Sequence, residues 1–170
     1  LPGSGKTTIA LRTAAELRAL GHPTCVLDGD QLRTGLSNDL GYGREGRREA
    51  VRRAIEIAAI LEGQGLVVLV ALVSPYRDDR DVSRARLAPG HFLEVHVDAP
   101  LETCRERDPK GHYRRAQGGQ LAGFTGVDDP YEVPLSPELR LLTAQVPIQE
   151  CTTLLVTLVT DALAVPEGIP

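Results

Sequence analysis

The first residues of the chain carry the groups of a phosphate-binding site. Residues 1–8 (LPGSGKTT) precede a helical pattern and match the end of the P-loop motif G-x-x-x-x-G-K-[ST], whose first Gly would stand before Leu1. Glycines let backbone N–H groups curl around a phosphate, and a helix N-terminus adds partial positive charge. We therefore expect ATP to be bound by six residues: Gly3, Ser4, Gly5, Lys6, Thr7 and Thr8.

Two side chains of this loop have distinct chemistry. Lys6 is expected to reach the β- and γ-phosphates, and the Thr7 hydroxyl is expected to ligate Mg²⁺. A Rossmann dinucleotide site is excluded because Thr8 stands where a third Gly is needed. The remaining alternative is a plain glycine-rich turn with a solvated Lys6.

Two acids follow the next predicted strand, at Asp28 and Asp30. Ligands gather at the carboxyl ends of strands in open α/β sheets, so we expect both carboxylates beside the phosphates. One would orient an acceptor hydroxyl and take its proton, which we assign to Asp30. The other, Asp28, would lie near Mg²⁺, although the two could exchange roles. The alternative is an Asp-Gly turn in which Asp30 caps a helix.

Composition limits the class of protein. The chain has 170 residues, 42% hydrophobic and 25% charged, which suits one globular domain and excludes a disordered tail. Its net charge of −4 argues against a general nucleic-acid binder. The longest apolar run, residues 66–73, is far shorter than the roughly 20 residues that span a bilayer, and no signal peptide opens the chain. Three cysteines without CxxC spacing predict free thiols in the cytoplasm.

Strands and helices alternate along the chain. This rhythm predicts a single α/β domain over residues 1–170, a P-loop NTPase-like three-layer sandwich with a mostly parallel sheet. The predicted helices cover residues 7–20, 45–63, 78–88, 100–107 and 148–163, and the predicted strands cover residues 24–27, 66–73, 92–97 and 139–142.

Two stretches depart from this rhythm. Residues 108–137 hold five Gly and four Pro and lose core periodicity, which predicts a mobile lid with little core. The chain begins at Leu1 without Met, which predicts a truncated start. The first strand of the sheet is then largely missing, and we expect an apolar strand of about five residues, ending in Gly, upstream.

A longer set of motifs resembles one known family. Residues 27–36 (LDGDQLRTGL) resemble the adenylyl-sulfate kinase (APS kinase) signature L-D-G-D-N-x-R-x-G-L. Further matches follow in order: DLGY at 39–42, Arg47 to Arg53, SPYR at 74–77, DPKG-x-Y at 108–113 and FTGVDDPYE at 124–132. The resemblance covers residues 1–143. It implies transfer of the γ-phosphate of MgATP to the 3′-hydroxyl of adenosine 5′-phosphosulfate, with ATP and that nucleotide as small-molecule partners.

The matched positions suit that substrate. Arg33 and Arg47 could grip the phosphosulfate with paired hydrogen bonds. Tyr42 and Phe124 could sandwich the adenine, although Phe124 could instead belong to a small cluster that pins the lid.

Two more positions carry roles implied by the resemblance. Lys110, at the entrance of the lid, matches the family lysine that helps to hold the phosphates, and its alternative is a surface residue. Ser74 matches a position described as a phosphoserine intermediate, and its alternative is a residue that ties down its loop.

The chain also departs from the family pattern. Ala50 and Ser37 stand where the family has Asn, Gln31 replaces another Asn, and Tyr42 replaces Phe. Ala50 cannot make the hydrogen bond of that Asn, which is worth about 0.5–1.5 kcal/mol. We therefore expect weaker substrate binding with the chemistry retained.

Two other functions compete with an active kinase. One is a non-catalytic regulatory nucleotide-binding domain of an ATP sulfurylase fusion, which should have a damaged P-loop. The other is a P-loop kinase for another small acceptor, which would not need both arginines and the lid motif. The intact Lys6, Thr7, Asp28 and Asp30 favour catalysis. The resemblance leaves open a homodimer and a fusion to, or association with, ATP sulfurylase.

Overall fold

The predicted alternation of helices and strands is confirmed in the computed structural model, which describes residues 1–121 and 123–164. The bounds of the predicted elements shift by at most three residues. The helices are α1 (Lys6–Ala19), α2 (Gly29–Arg33), α3 (Arg44–Glu62), α4 (Arg77–Ala85), α5 (Leu101–Arg107), α6 (His112–Gln117) and α7 (Ile148–Ala164). The strands are β1 (Thr24–Asp28), β2 (Val67–Ala71), β3 (Val95–Asp98) and β4 (Leu139–Leu142).

The sheet is parallel, as predicted, but its strands pair as two separate ribbons. β1 pairs with β2, where Thr24 lies opposite Val67, and β3 pairs with β4, where Val95 lies opposite Leu139. An apolar groove of about 550 Å³ lies between the ribbons and is lined by β2 and β3. The strand expected upstream lies outside this sequence and stays a prediction.

Helices cover both faces of the β1–β2 ribbon. Side chains alternate along a strand, so Cys25 and Leu27 point to one face, where they pack with Ile55 and Ala58 of α3. The opposite face of β1 meets α1, which also packs against α7. The resulting order of helix, sheet and helix gives the three-layer α/β architecture. Across the described ranges, 1–121 and 123–164, no helix combines the length and apolar character needed to cross a bilayer.

The segment predicted as a lid holds more structure than its sequence suggests. It contains α6, and its Tyr113, Ala116 and Phe124 form a buried cluster with Ala99 and Cys104. The prediction of little core is therefore wrong for this part, because the buried residues are too widely spaced to give a periodic pattern. The mobility of the lid stays a prediction. Ala122 of the lid and the last six residues of the predicted domain lie outside the described residues.

One buried arginine fastens the end of the lid to the sheet. Arg80 of α4 donates from Nη1 to the Ser74 carbonyl and from Nη2 to the Glu132 carbonyl, both at 2.8 Å. Its Nε lies 2.5 Å from Oε1 of Glu94, and both side chains are largely buried. Three segments distant in sequence are therefore held by one guanidinium group.

We expect Arg80→Met to lower the free energy of unfolding by about 3 kcal/mol, because it leaves the Glu94 carboxylate buried without its main partner. Urea denaturation measures this loss. The matched control is Arg86→Met, which removes an exposed pair with Glu56 and should change stability little. Equal losses in the two variants would contradict the role given to Arg80.

Candidate active site

One cavity of about 820 Å³ brings together almost every residue singled out from the sequence. It lies at the carboxyl ends of β1 and β2, beside the start of α1. Asp28 is the exception: it does not line the cavity, although its hydrogen-bond partner Thr7 does. The sequence-predicted residues that line the cavity are Gly3, Ser4, Gly5, Lys6, Thr7, Thr8, Asp30, Arg33, Tyr42, Arg47, Ser74, Lys110 and Phe124.

The P-loop has the conformation that its glycines allow. Gly3 has φ 78° and Gly5 has φ 102°, both in the left-handed region. A Cβ atom on Gly3 would lie 2.7 Å from the Cys104 carbonyl oxygen, so only glycine fits there. Two side chains also brace the loop from outside. The Tyr113 hydroxyl donates to the Pro2 carbonyl at 3.0 Å, and the Thr143 hydroxyl donates to the Ser4 carbonyl at 2.8 Å.

Lys6 folds back across this loop. Its Nζ donates to the Leu1 carbonyl at 2.5 Å and lies 3.5 Å from Ser4 Oγ. Burial lowers the pKa of the Lys6 ammonium to about 8, despite opposing effects from Asp28, Asp30 and the Cys104 side chain. The Lys6 ammonium therefore loses its proton at a lower pH than a solvated lysine does.

Asp28 joins the P-loop to the second acid. Its Oδ2 accepts the Thr7 hydroxyl at 2.7 Å, and its Oδ1 accepts the backbone N–H groups of Asp30 and Gln31 at 3.0 and 3.3 Å. The N-cap of α2 is therefore Asp28, and the alternative in which Asp30 caps a helix is wrong. The Asp28 carboxylate is the better cap because it precedes the first helical residues, whose N–H groups need acceptors.

The Thr7–Asp28 pair fits the magnesium role expected of it. Mg²⁺ prefers oxygen ligands, and it is often bound by one or two protein groups together with phosphates and water. A hydroxyl and a carboxylate oxygen 2.7 Å apart at the floor of a phosphate loop provide such groups.

Asp30 meets a residue from the lid. Lys110, in the turn between α5 and α6, forms an ion pair with the Asp30 carboxylate, and both side chains are about half exposed. Lys110 is thus more than a surface residue, since it covers the acid that the sequence predicts to be catalytic.

Arg33, Tyr42 and Arg47 form a second, cationic wall of the cavity. The guanidinium of Arg33 lies 4.2 Å from the centre of the Tyr42 ring, and that of Arg47 lies 5.9 Å from it. Arg33 donates to the carbonyls of Leu40 and Gly41, and Arg47 donates to the Gly123 carbonyl at 3.2 Å.

These two positive charges have no carboxylate partner among the described residues. Within the part of the chain that the structure describes, no carboxylate lies within ion-pair distance of Arg33 or Arg47. Burial, and then the nearby charge of Arg33, lower the pKa of Arg47. Two adjacent cations without a carboxylate make a site for an anion.

Phe124 is buried in the lid cluster that the sequence left as the alternative. It is 2% exposed and meets the Tyr113 ring edge to face, with ring centres 5.1 Å apart. It also lines the cavity, while Arg33 covers a face of the Tyr42 ring. The adenine sandwich between Tyr42 and Phe124 stays a prediction.

Ser74 follows β2 in a strained conformation. Its φ of 41° lies in the left-handed region, which residues other than glycine rarely adopt. Its carbonyl is held by Arg80, and its side chain is at the cavity wall. The arrangement agrees with a residue that ties down its loop, and a covalent role stays a prediction.

The far end of the cavity was not found from the sequence. By this name we mean the part lined by Arg107, Thr143, Val146, Pro147 and Ile148. Arg107 donates to the Thr143 carbonyl at 2.7 Å, and Thr143 in turn binds Ser4. These residues come from three separate elements and share no local motif, so only the fold brings them together.

The Lys6 pKa predicts how nucleotide binding depends on pH. The free protein carries the ammonium below pH 8 and loses it above, so affinity for ATP should fall by up to about tenfold per pH unit above 8. Calorimetry between pH 7 and 9.5 measures this. Lys6→Arg is the control, because a guanidinium stays charged over this range. A steep fall that persists in Lys6→Arg would contradict the assignment.

Comparisons with known proteins agree with this geometry. A family model described as adenylylsulphate kinase matches residues 1–142. The adenylyl-sulfate kinase of Bacillus velezensis is 46% identical over 164 residues, which cover 96% of this chain and 83% of that protein. The bifunctional enzyme NodQ of Azospirillum brasilense is 52% identical over 143 residues, which cover 84% of this chain but only 23% of that longer protein.

A solved structure shows the same fold. The structure of the Mycobacterium tuberculosis APS kinase CysC in complex with AMPPNP and APS has a TM-score of 0.88 and 39% identity, covering 94% of this chain and 93% of that chain. At this identity and coverage, the match supports membership of the same family as well as a shared fold. The chain therefore belongs to the adenylylsulphate kinase family of ATP-dependent phosphotransferases.

Proposed function

We propose that this chain transfers the γ-phosphoryl group of ATP to the 3′-hydroxyl of adenosine 5′-phosphosulfate within the cavity described above. One observation carries the proposal: one cavity joins a P-loop to an arginine pair that has no carboxylate partner in the described part of the chain, with the Asp30 carboxylate on the connecting helix. The P-loop accounts for the triphosphate donor. The arginine pair accounts for the phosphosulfate of the acceptor.

The short helix α2 sets the distance between the two substrates. At its start, Asp28 is bonded to Thr7 of the P-loop, and at its end Arg33 enters the arginine pair. Asp30 lies between them, in the first turn. An acceptor nucleotide bound by Arg33 and Arg47 would therefore present its ribose hydroxyls toward Asp30 and the donor phosphate.

Phosphoryl transfer of this kind depends on alignment and charge neutralisation more than on covalent help. In the proposed route, the Asp30 carboxylate accepts a hydrogen bond from the 3′-hydroxyl and orients it toward the γ-phosphorus. It takes the proton as the new P–O bond forms and the bond from the γ-phosphorus to the bridging oxygen breaks, so that ADP leaves with the electron pair of that bond. Lys6 neutralises the charge on the transferred group. The ion pair between Lys110 and Asp30 must break for the hydroxyl to approach Asp30. The Lys110 ammonium would then pair with the phosphates.

A kinase that uses ATP requires a divalent metal ion, and we propose Mg²⁺. Thr7 and Asp28 would hold it, and the ion would shield the charge of the donor phosphates. The adenine of ATP would lie in the far end of the cavity, against Arg107 and Pro147.

The alternatives make different demands on the same residues. A regulatory nucleotide-binding domain would tolerate loss of Lys6, Thr7 or Asp30, yet all three line the cavity. A kinase with an uncharged acceptor would have no use for two arginines without counter-ions. Fusion to ATP sulfurylase and a homodimer remain open proposals. A cytoplasmic location is proposed because all three cysteines are free thiols, as a reducing compartment keeps them.

Replacing the proposed base tests this assignment. We expect Asp30→Asn to lower kcat with ATP and adenylyl sulfate by about 10²–10⁴-fold, because the amide cannot take the proton. A coupled ADP-release assay measures the rate. Asp78→Asn, which removes an exposed carboxylate on α4, is the control and should keep full activity. Full activity in Asp30→Asn would overturn the role of Asp30, and tight product binding without turnover in the unaltered chain would favour the regulatory domain.

A second substitution tests the departure at residue 50. Ala50 is buried in the cavity wall, one turn after Arg47 on α3. Ala50→Asn should lower KM for adenylyl sulfate by about two- to tenfold, because the added amide can hydrogen-bond the substrate. Ala50→Leu fills similar space without an amide and should not lower KM. An unchanged KM in Ala50→Asn would mean that the family role does not apply at this position.

A further inference from the structure

One hydroxyl in the cavity, that of Ser37, has no hydrogen-bond partner among the residues that the structure describes. Ser37 is 1% exposed and lines the cavity, and its Oγ makes no hydrogen bond to any part of the chain that the structure describes. Burying a hydroxyl without a partner is unfavourable. The hydroxyl can recover this loss only through a group that enters the cavity.

The backbone around Ser37 holds that hydroxyl in place. The Ser37 N–H donates to the Leu32 carbonyl at 2.8 Å, and its own carbonyl accepts the Leu40 N–H at 3.2 Å. On the preceding residue, the Leu36 carbonyl accepts a hydrogen bond from Arg53 of α3 at 2.7 Å. Since the main chain is bonded on both sides, the Cβ atom of Ser37 has a fixed position, and its short side chain stays within the buried wall of the cavity.

The groups that line the same cavity as Ser37 indicate what it would bind. Arg47 Nε is also buried and without a hydrogen-bond partner in the described residues, and Arg33 and Arg47 lack counter-ions. The carboxylates that line the same cavity are engaged elsewhere. Asp30 pairs with Lys110, and Asp108 accepts the N–H groups at the start of α6. Two guanidinium groups and a hydroxyl make a set of donors suited to an oxyanion.

We propose that Ser37 is a specificity-determining residue whose hydroxyl donates to an oxygen of the acceptor's phosphosulfate. The proposal rests on the proposed function, because it assumes that this wall receives the acceptor nucleotide. Ser37 would add a neutral donor to the two charged ones and help to distinguish an adenosine nucleotide bearing the oxyanion from adenosine itself.

Ser37→Ala tests the proposal, because it removes the hydroxyl without adding bulk. Calorimetry should show adenylyl sulfate bound about tenfold more weakly and adenosine bound equally well. In turnover assays KM for adenylyl sulfate should rise by a similar factor, with kcat and KM for ATP within twofold. Binding of adenosine 5′-monophosphate identifies the atom that Ser37 contacts. If Ser37→Ala lowers its affinity as much as that of adenylyl sulfate, the partner is a phosphate oxygen. If its affinity is unchanged, the partner is a sulfate oxygen.

The stability of Ser37→Ala toward urea distinguishes a substrate-binding role of Ser37 from a structural role. If the hydroxyl serves only the substrate, Ser37→Ala should unfold at the same urea concentration as the unaltered chain or a higher one. Thr13→Val is the matched control, because Thr13 Oγ1 is likewise buried without a partner in the described residues but does not line the cavity. It should leave every affinity unchanged.

Three results would overturn the proposal. The first is an unchanged affinity for adenylyl sulfate in Ser37→Ala, and the second is an equally large loss of affinity for adenosine in that variant. The third is an equally large loss of affinity for adenylyl sulfate in Thr13→Val. These outcomes are distinct from failure of the proposed function. A chain that binds adenylyl sulfate through Ser37 but does not turn it over would retain the oxyanion site and lose the kinase assignment.

Discussion

The carboxylate of Asp28 is the interaction on which the geometry of the site depends. One oxygen accepts the Thr7 hydroxyl, and the other caps α2. A single side chain therefore fixes the start of the helix that carries Asp30 and Arg33 relative to the loop that would hold the donor phosphates. Because both oxygens already accept hydrogen bonds, Asp28 acts as part of the framework, in addition to the place beside a metal ion that we propose for it.

Charge explains why this framework suits its substrates. The P-loop contributes a partly buried ammonium with a lowered pKa, and another wall of the cavity contributes two guanidinium groups without carboxylate partners among the described residues. Such charges are costly to bury unless anions arrive to meet them. The chain as a whole is acidic, with a net charge of −4, so this positive cavity is a local feature rather than a consequence of composition.

Local motifs predicted much of this arrangement. The P-loop, Asp28, Asp30 and the arginine pair follow from short sequence patterns, because each belongs to a turn or helix end with its own backbone requirements. Alternation of apolar segments gave the α/β class and the bounds of most elements. The short helix α2 was not predicted, since five residues show no periodicity and its cap lies in a strand.

Long-range contacts explain what the sequence did not reveal. Arg107, Thr143 and Pro147 come together only because β4 and the start of α7 lie beside the P-loop. The pairing of Lys110 with Asp30 joins residues 80 positions apart, and no local pattern encodes it. The burial of Phe124 likewise depends on Tyr113. The Tyr113 ring packs against Phe124, and its hydroxyl donates to the Pro2 carbonyl of the P-loop.

The attachment of residues 129–133 limits how the lid could travel. Tyr76 donates to Asp129 at 2.8 Å, the Glu132 N–H donates to the Pro75 carbonyl at 2.8 Å, and Arg80 holds the Glu132 carbonyl. These bonds anchor the downstream end of the lid to the loop after β2. If the lid moves as predicted, it must pivot before residue 129. Lys110 and Phe124 would then move with it, while Ser74 would stay with the loop after β2.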